Sequence, residues 1–133
     1  MSTQETHLFD RFRRYPSKVG QRIAGAIRRA LPQDSKPPVL LELGVGTGAM
    51  ALPLLGEGLR FVGLDSDSEM LRRFHEKVPK GEEVEVLQAD ARAIPLASAS
   101  VDGVLVVRFW HLVSEWRQVL AEALRFLRPG GVL

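Results

Sequence analysis

The stretch Glu42-Leu43-Gly44-Val45-Gly46-Thr47-Gly48 constrains this chain more than any other. It follows an apolar run, Pro38-Val39-Leu40-Leu41, and precedes Ala49-Met50-Ala51-Leu52. The run reads as a buried strand and the segment after the glycines as a helix start. Glycine at alternate positions allows a sharp turn and lets a ligand approach bare backbone, where a helix start offers free N–H groups. Glu42 falls at the strand end, beside that gap. A carboxylate there argues for a ligand with a cationic group as well as a polar tail.

The rest of the chain extends the same alternation. Residues 6–14 read as a short helix ended near Pro16. Ser17 is placed to cap a second helix, with Val19, Ile23, Ala26/Ile27 and Ala30/Leu31 at helical spacing. Pro32-Gln33-Asp34-Ser35-Lys36-Pro37-Pro38 reads as a linker. Residues 1–36 are therefore expected as a helical appendage, and residues 37–133 as the main unit. In that unit strands are predicted at 39–43, 61–64, 84–87 and 101–107, and helices at 48–55, from Asp67 to Val78, and from Ser114 to Leu127. Arg128-Pro129-Gly130-Gly131 reads as a stop, with Val132-Leu133 opening a fifth strand. Strands alternating with helices predict an α/β fold, a doubly wound parallel sheet covered on both faces. Such sheets bind ligands outside the C-terminal ends of their strands. Polar residues stand at each of those ends: Glu42 and the glycines, Asp65, Asp90, and the cluster Arg108-Phe109-Trp110-His111.

Composition narrows the function classes. With 133 residues the chain has the length of one domain. It has no cysteine and only three scattered histidines, which excludes thiolate chemistry and disfavours a transition-metal site. No apolar run approaches the ~20 residues of a membrane span, and the polar N-terminus lacks a signal-peptide core. A cytoplasmic protein without a membrane partner is the expectation. The net charge is +2, but residues 1–36 hold eight Lys/Arg against three Asp/Glu. Without aromatic interleaving or a nucleic-acid motif, this reads as a solvated arginine face rather than a nucleic-acid surface.

The strand-end residues specify a ligand. The glycine spacing is G-x-G-x-G; the dinucleotide fingerprint needs a further glycine at position 49, which is Ala. Glu42 would also repel a pyrophosphate. Asp65 lies 21 residues after Gly44, where a carboxylate can accept both hydroxyls of a ribose. Asp90 can accept from an exocyclic adenine amine, and the N–H after it can donate to a ring nitrogen. Adenine, ribose and an ammonium group without phosphate together describe S-adenosylmethionine.

At these residues the chain resembles the class I S-adenosylmethionine-dependent methyltransferases, of the type 11, ubiquinone/menaquinone methyltransferase-like group. The matching segments are Glu42–Gly48, Gly63–Leu71, Gln88–Leu96 and Leu127–Gly131. The resemblance implies a Rossmann-like sheet with strand order 3-2-1-4-5 over the strands present. It implies that Glu42 with Gly44, Gly46 and Thr47 contacts the methionine moiety and that Asp65 holds the ribose. Ser66 and Met70 would line the adenine pocket, and Asp90 and Ala91 would meet the adenine. Arg108 is a further candidate cofactor or acceptor contact. His111 is a candidate base or acceptor contact, against a plain packing role. Arg11 or Tyr15 would reach the methionine carboxylate.

The family sheet has seven strands, whereas this sequence stops as the fifth begins. The expectation is a truncated chain that keeps its cofactor half. The alternative is a minimal protein that completes its sheet edge as a homodimer. The expected reaction is methyl transfer to a small organic acceptor. A non-catalytic cofactor-binding or interaction module, and a nicotinamide-dependent oxidoreductase, are the competing readings.

Overall fold

The computed structural model describes residues 1–13, 15–34 and 36–133. Arg14, the expected end of the first helix, and Ser35, in the expected linker, lie outside the described residues. Five strands, β1 (Val39–Leu43), β2 (Arg60–Asp65), β3 (Val84–Gln88), β4 (Val101–Val106) and β5 (Leu127–Val132), form one sheet in the order β3-β2-β1-β4-β5. Every neighbouring pair is parallel. This is the doubly wound, Rossmann-like arrangement that the sequence predicts. β1 lies at its centre, bonded to β2 and β4.

Side-chain alternation along the strands builds two cores. Leu41, Leu43, Val62, Leu64 and Val104 face α5 (Trp116–Phe126), which adds Val119, Ala123 and Phe126. On the other face, Leu40 and Phe61 meet α2 (Ser17–Ala30), α3 (Ala51–Leu54) and α4 (Ser68–Lys77) through Ala24, Leu54, Leu71 and Phe74. Each fully buried Leu or Phe contributes about 1.5–3 kcal/mol. Glu42 sits two residues beyond Leu40, so the strand's alternation aims it at this second face, at the strand's ligand-binding end. The remaining helix, α1 (Thr3–Arg13), lies against α4.

Several local expectations are corrected. The helix after the glycines begins at Ala51 rather than residue 48. Gly44, Gly46 and Gly48 have φ of +69°, +58° and +88°, so the backbone cannot turn helical until it has passed them. The N-terminal half of the α2 stripe is displaced by one position, while Ile27 and Leu31 pack in the core as expected. Gly20, Ala24 and Leu31 are buried, while Val19 and Ala26 are exposed and Ile23 is half-buried. Gly20 permits this because Pro53 of α3 packs against it; a Cβ there would sit 3.0 Å from the proline ring. Leu31 reaches past the helix end to lie over Gly103 of β4. Asp67 caps α4, its carboxylate accepting from Glu69 N–H at 3.0 Å. Ser17 and Ser114 make no such cap: the N-cap positions of α2 and α5 are Pro16 and Glu115, without side-chain cap bonds. The fifth strand begins at Leu127, not Val132. The expected stop, Arg128-Pro129-Gly130-Gly131, is instead a bulged stretch whose register against β4 shifts between Val101 and Gly103. Gly130, at φ +83°, supplies the extra turn, and Pro129 is tolerated because β5 is an edge strand.

Gly48 fixes how the site joins the core. A Cβ on it would stand 2.3 Å from Cδ2 of Phe74, which is fully buried and packs edge-on against Phe61. Gly48→Ala is expected to lower stability by about 2–3 kcal/mol, from overpacking and the positive φ together. Denaturant titration checks this; an unchanged midpoint would show that Phe74 has room to move.

Candidate functional site

The C-terminal ends of β1 to β4 open onto one cavity of about 680 Å³. The structure brings ten of the sequence-predicted residues to its wall. Glu42, Gly44, Gly46 and Thr47 come from β1 and its loop. Asp65, Ser66 and Met70 come from β2 and α4, Asp90 and Ala91 from the segment after β3, and Arg108 from the end of β4. Tyr15, at the start of α2, also lines it. Arg11 and His111 do not. Arg11 is exposed on α1, and His111 is exposed on a 3-10 turn, Trp110–Leu112. His7 and His75 are exposed elsewhere.

The three glycines turn out to serve different neighbours. A Cβ on Gly44 would stand 2.4 Å from Cδ2 of Phe109, so any side chain there would collide with that ring. Gly48 is covered by Phe74, as above. At Gly46 the nearest atom is Cε1 of Phe9, at an ordinary 3.8 Å. Gly44 and Gly46 are both half-buried and line the cavity, whereas Gly48 is buried. The Gly46 N–H donates to Asp65 Oδ2 at 2.9 Å, which ties the loop to the end of β2.

Glu42 is the most costly residue in the site. It is 3% exposed, and among the described residues nothing hydrogen-bonds its Oε2. Burial, and then the nearby charge of Asp65, push its carboxyl well above the usual carboxylate range. A buried, unpartnered acid beside a cavity is a site prepared for a donor that the folded chain does not itself contain.

The other acids are already engaged. Asp65 accepts from Gly46 N–H on Oδ2 and from Asp67 N–H at 3.0 Å on Oδ1. One lone pair on each oxygen remains, enough for two further donors. Asp67 takes the Met1 ammonium at 2.9 Å. Asp90 is more nearly saturated. Arg92 reaches both its oxygens through Nε at 3.0 Å, adds a second guanidinium nitrogen on Oδ2, and gives its own N–H to Oδ1 at 2.9 Å. The Arg92 hydrogen bonds hold the Asp90 carboxyl down at about 2. Arg92 also lies 3.5 Å from Glu115, so it bridges the β3 and β4 lips of the cavity.

Sequence reasoning missed the roof. Asp10 on α1 is 3% exposed and accepts from the Thr47 hydroxyl at 3.1 Å, Lys77 Nζ at 2.6 Å and Arg73 at 3.1 Å. Phe9, one residue earlier, lines the cavity above Gly46. The only available signal was an acid inside an otherwise basic segment, and spacing cannot pair it with residues 37 to 67 positions away. Phe109 was legible as part of a cluster after β4, but its contact with Gly44 was not. Among the described residues no group of three acidic or histidine side chains is placed to hold a metal, and no helix is long and apolar enough to cross a membrane.

Comparison with known proteins bears on this geometry. Residues 41–133 match the family described as "Methyltransferase domain". An uncharacterized methyltransferase of Mycobacterium tuberculosis is 40% identical over 94 residues, covering 71% of this chain and 37% of that protein. The demethylmenaquinone methyltransferase of Thermus thermophilus is 35% identical over 111 residues, covering 80% of this chain and 50% of that protein. The chain thus spans half or less of the length of these two relatives. Among solved structures, an S-adenosylmethionine-dependent methyltransferase from Mesorhizobium loti superposes with a TM-score of 0.68 at 25% identity. It covers 80% of this chain and 49% of its own.

Proposed function

This chain belongs to the methyltransferase domain family, and from that premise we propose that its cavity binds S-adenosylmethionine for methyl transfer to a small organic acceptor. One observation carries the reading: Glu42 lines the cavity as a buried carboxylate whose Oε2 has no partner among the described residues. An ammonium group would satisfy that oxygen and offset the cost of ionising it. A pyrophosphate would add repulsion, which disfavours a dinucleotide.

The remaining donors and acceptors fit the same ligand. Asp65 keeps one lone pair on each oxygen for the ribose hydroxyls. Ser66, Met70 and Ala91 offer a small, largely apolar slot for adenine, with Asp90 at its edge. Since Arg92 engages both Asp90 oxygens, an adenine amine there must take a lone pair from Arg92. The half-buried loop at Gly44 and Gly46 lets the aminoacyl tail approach. Bound S-adenosylmethionine supplies an electrophilic methyl group on a sulfonium, so the difficult chemistry belongs to the cofactor. The chain's own work is to hold the ligand in a fixed orientation and to exclude water. Positioning of that kind is worth up to ~7–11 kcal/mol of barrier. Phe9, Phe109 and Val113 supply the apolar wall.

Calorimetric titration with S-adenosylhomocysteine tests this. A single saturable site is expected. A folded sample that takes up none at millimolar ligand would sink the cofactor assignment and the function with it.

A further inference from the structure

The charges around the cavity do not cancel evenly. Four acids stand on the β1–β2–β3 side, Glu42, Asp65, Asp67 and Asp90, and one, Glu115, on the β4 side, where Arg92 pairs with it. Among the described residues three cations line the wall, at Met1, Arg92 and Arg108. The first is neutralised by Asp67 and the second by Asp90 and Glu115. Arg108 alone of the three has no carboxylate partner among the described residues. It stands at the end of β4, across β1 from the ribose and adenine side.

Arg108 is also held there at a cost. Its φ is +52°, the left-handed region, which costs a non-glycine residue on the order of 1–2 kcal/mol. Its guanidinium lies 5.2 Å from the centre of the Tyr15 ring, a cation–π distance that orients the charged fork at the cavity mouth. Apolar side chains surround that position: Phe109 follows it directly, and Leu112 and Val113 line the same wall.

A strained, stacked and unneutralised guanidinium beside an apolar wall is suited to an anion with an apolar body. Building on the cofactor reading above, we propose that the acceptor is an organic carboxylate, its charged end taken by Arg108 and its apolar body by Phe109, Leu112 and Val113. The planar fork of arginine matches a carboxylate in two parallel hydrogen bonds, which a neutral amide of the same shape cannot reproduce. The acidic side of the cavity repels the same group and so fixes its direction of entry.

The test uses hexanoate and hexanamide as probes on the whole chain, with and without saturating S-adenosylhomocysteine. The unmodified chain is expected to bind hexanoate about tenfold more tightly than hexanamide. Arg108→Met keeps the apolar stem and should erase that preference, while S-adenosylhomocysteine affinity moves less than threefold. Two results would overturn the proposal. One is equal binding of the two probes by the unmodified chain. The other is an Arg108→Met variant that loses S-adenosylhomocysteine as strongly as hexanoate, which would give Arg108 to the carboxylate of the cofactor. Should S-adenosylhomocysteine not bind at all, the cofactor reading fails, and the hexanoate preference of the ligand-free chain still decides whether the anion site exists.

Discussion

Replacing Glu42 by Gln should make the free protein more stable and its ligand complex much weaker. Glu42 is 3% exposed, and its Oε2 has no partner among the described residues. Burial and the charge of Asp65 raise its folded-state pKa. Its contribution to stability is fully present below the unfolded value of ~4.3 and is lost as pH rises through the raised folded value. At neutral pH and above, the acid therefore works against folding. Gln removes the ionisation, so Glu42→Gln is expected to raise Tm by ~2–5 °C and to flatten the loss of stability as pH rises above ~4.3. The same change removes the charge-assisted hydrogen bond to an ammonium, costing about one to two orders of magnitude in affinity for S-adenosylhomocysteine.

A nucleoside control separates the two effects. 5′-Methylthioadenosine has the adenine and ribose but no ammonium, so its affinity should be nearly the same in Glu42→Gln and the unmodified chain. Calorimetry also reads the proton. An ammonium ligand favours ionised Glu42, so binding should release protons, and the apparent enthalpy should vary with the ionisation enthalpy of the buffer. If Glu42→Gln binds S-adenosylhomocysteine unchanged, the ammonium assignment is wrong, whatever happens to Tm.

The second large effect is expected at Asp10. This carboxylate joins three elements: its own α1, the glycine loop through Thr47, and α4 through Arg73 and Lys77. Burial pushes its pKa up, but the Lys77 hydrogen bond and charge, with Thr47 and Arg73, outweigh that and hold it below the usual carboxylate value. Its contribution is present above the unfolded value of ~3.9 and is lost as pH falls through the depressed folded value. Asp10→Ala should cost about 3 kcal/mol, the low end for breaking a buried ion pair, because Arg73 and Lys77 are each about one-fifth exposed. Amide exchange in residues 3–13 should accelerate most, since these polar contacts tie α1 to α4. Ligand affinity should fall as well, because Thr47 loses the partner that fixes its place in the loop. Unchanged exchange in α1 would show that other contacts hold it.

Much of the fold was legible because its signals are local. A strand in the middle of a covered parallel sheet reads as an apolar run, as Val39–Leu41 and Val104–Val107 do. The strand order came from family resemblance, and the parallel pairing seen agrees with it. Boundaries were read less well, each for a physical reason. The positive φ of three glycines delays α3, and the Gly130 bulge lets β5 pass through what looked like a terminator. The first half of the stripe on α2 was misplaced, at Val19 and Ile23, because apolar spacing alone does not say which of two adjacent faces is buried. Val19 and Ile23 fit a stripe equally well, but Gly20 and Ala24 are small enough to bring α2 close to α3.

By itself, then, the sequence determined that strand ends would present Glu42, three glycines, Asp65 and Asp90, because residue type and strand periodicity are written in the chain. Only the tertiary structure decided what each is free to do. Gly44 and Gly48 face Phe109 and Phe74, and Asp90 is taken by Arg92, while Asp65 keeps spare lone pairs and Glu42 Oε2 is buried without a partner among the described residues. Apart from Asp90, whose partner stands two residues on, those outcomes depend on which distant side chains arrive at each strand end. Packing of α1, α2 and the β4 loop sets that, and no spacing along the chain encodes it.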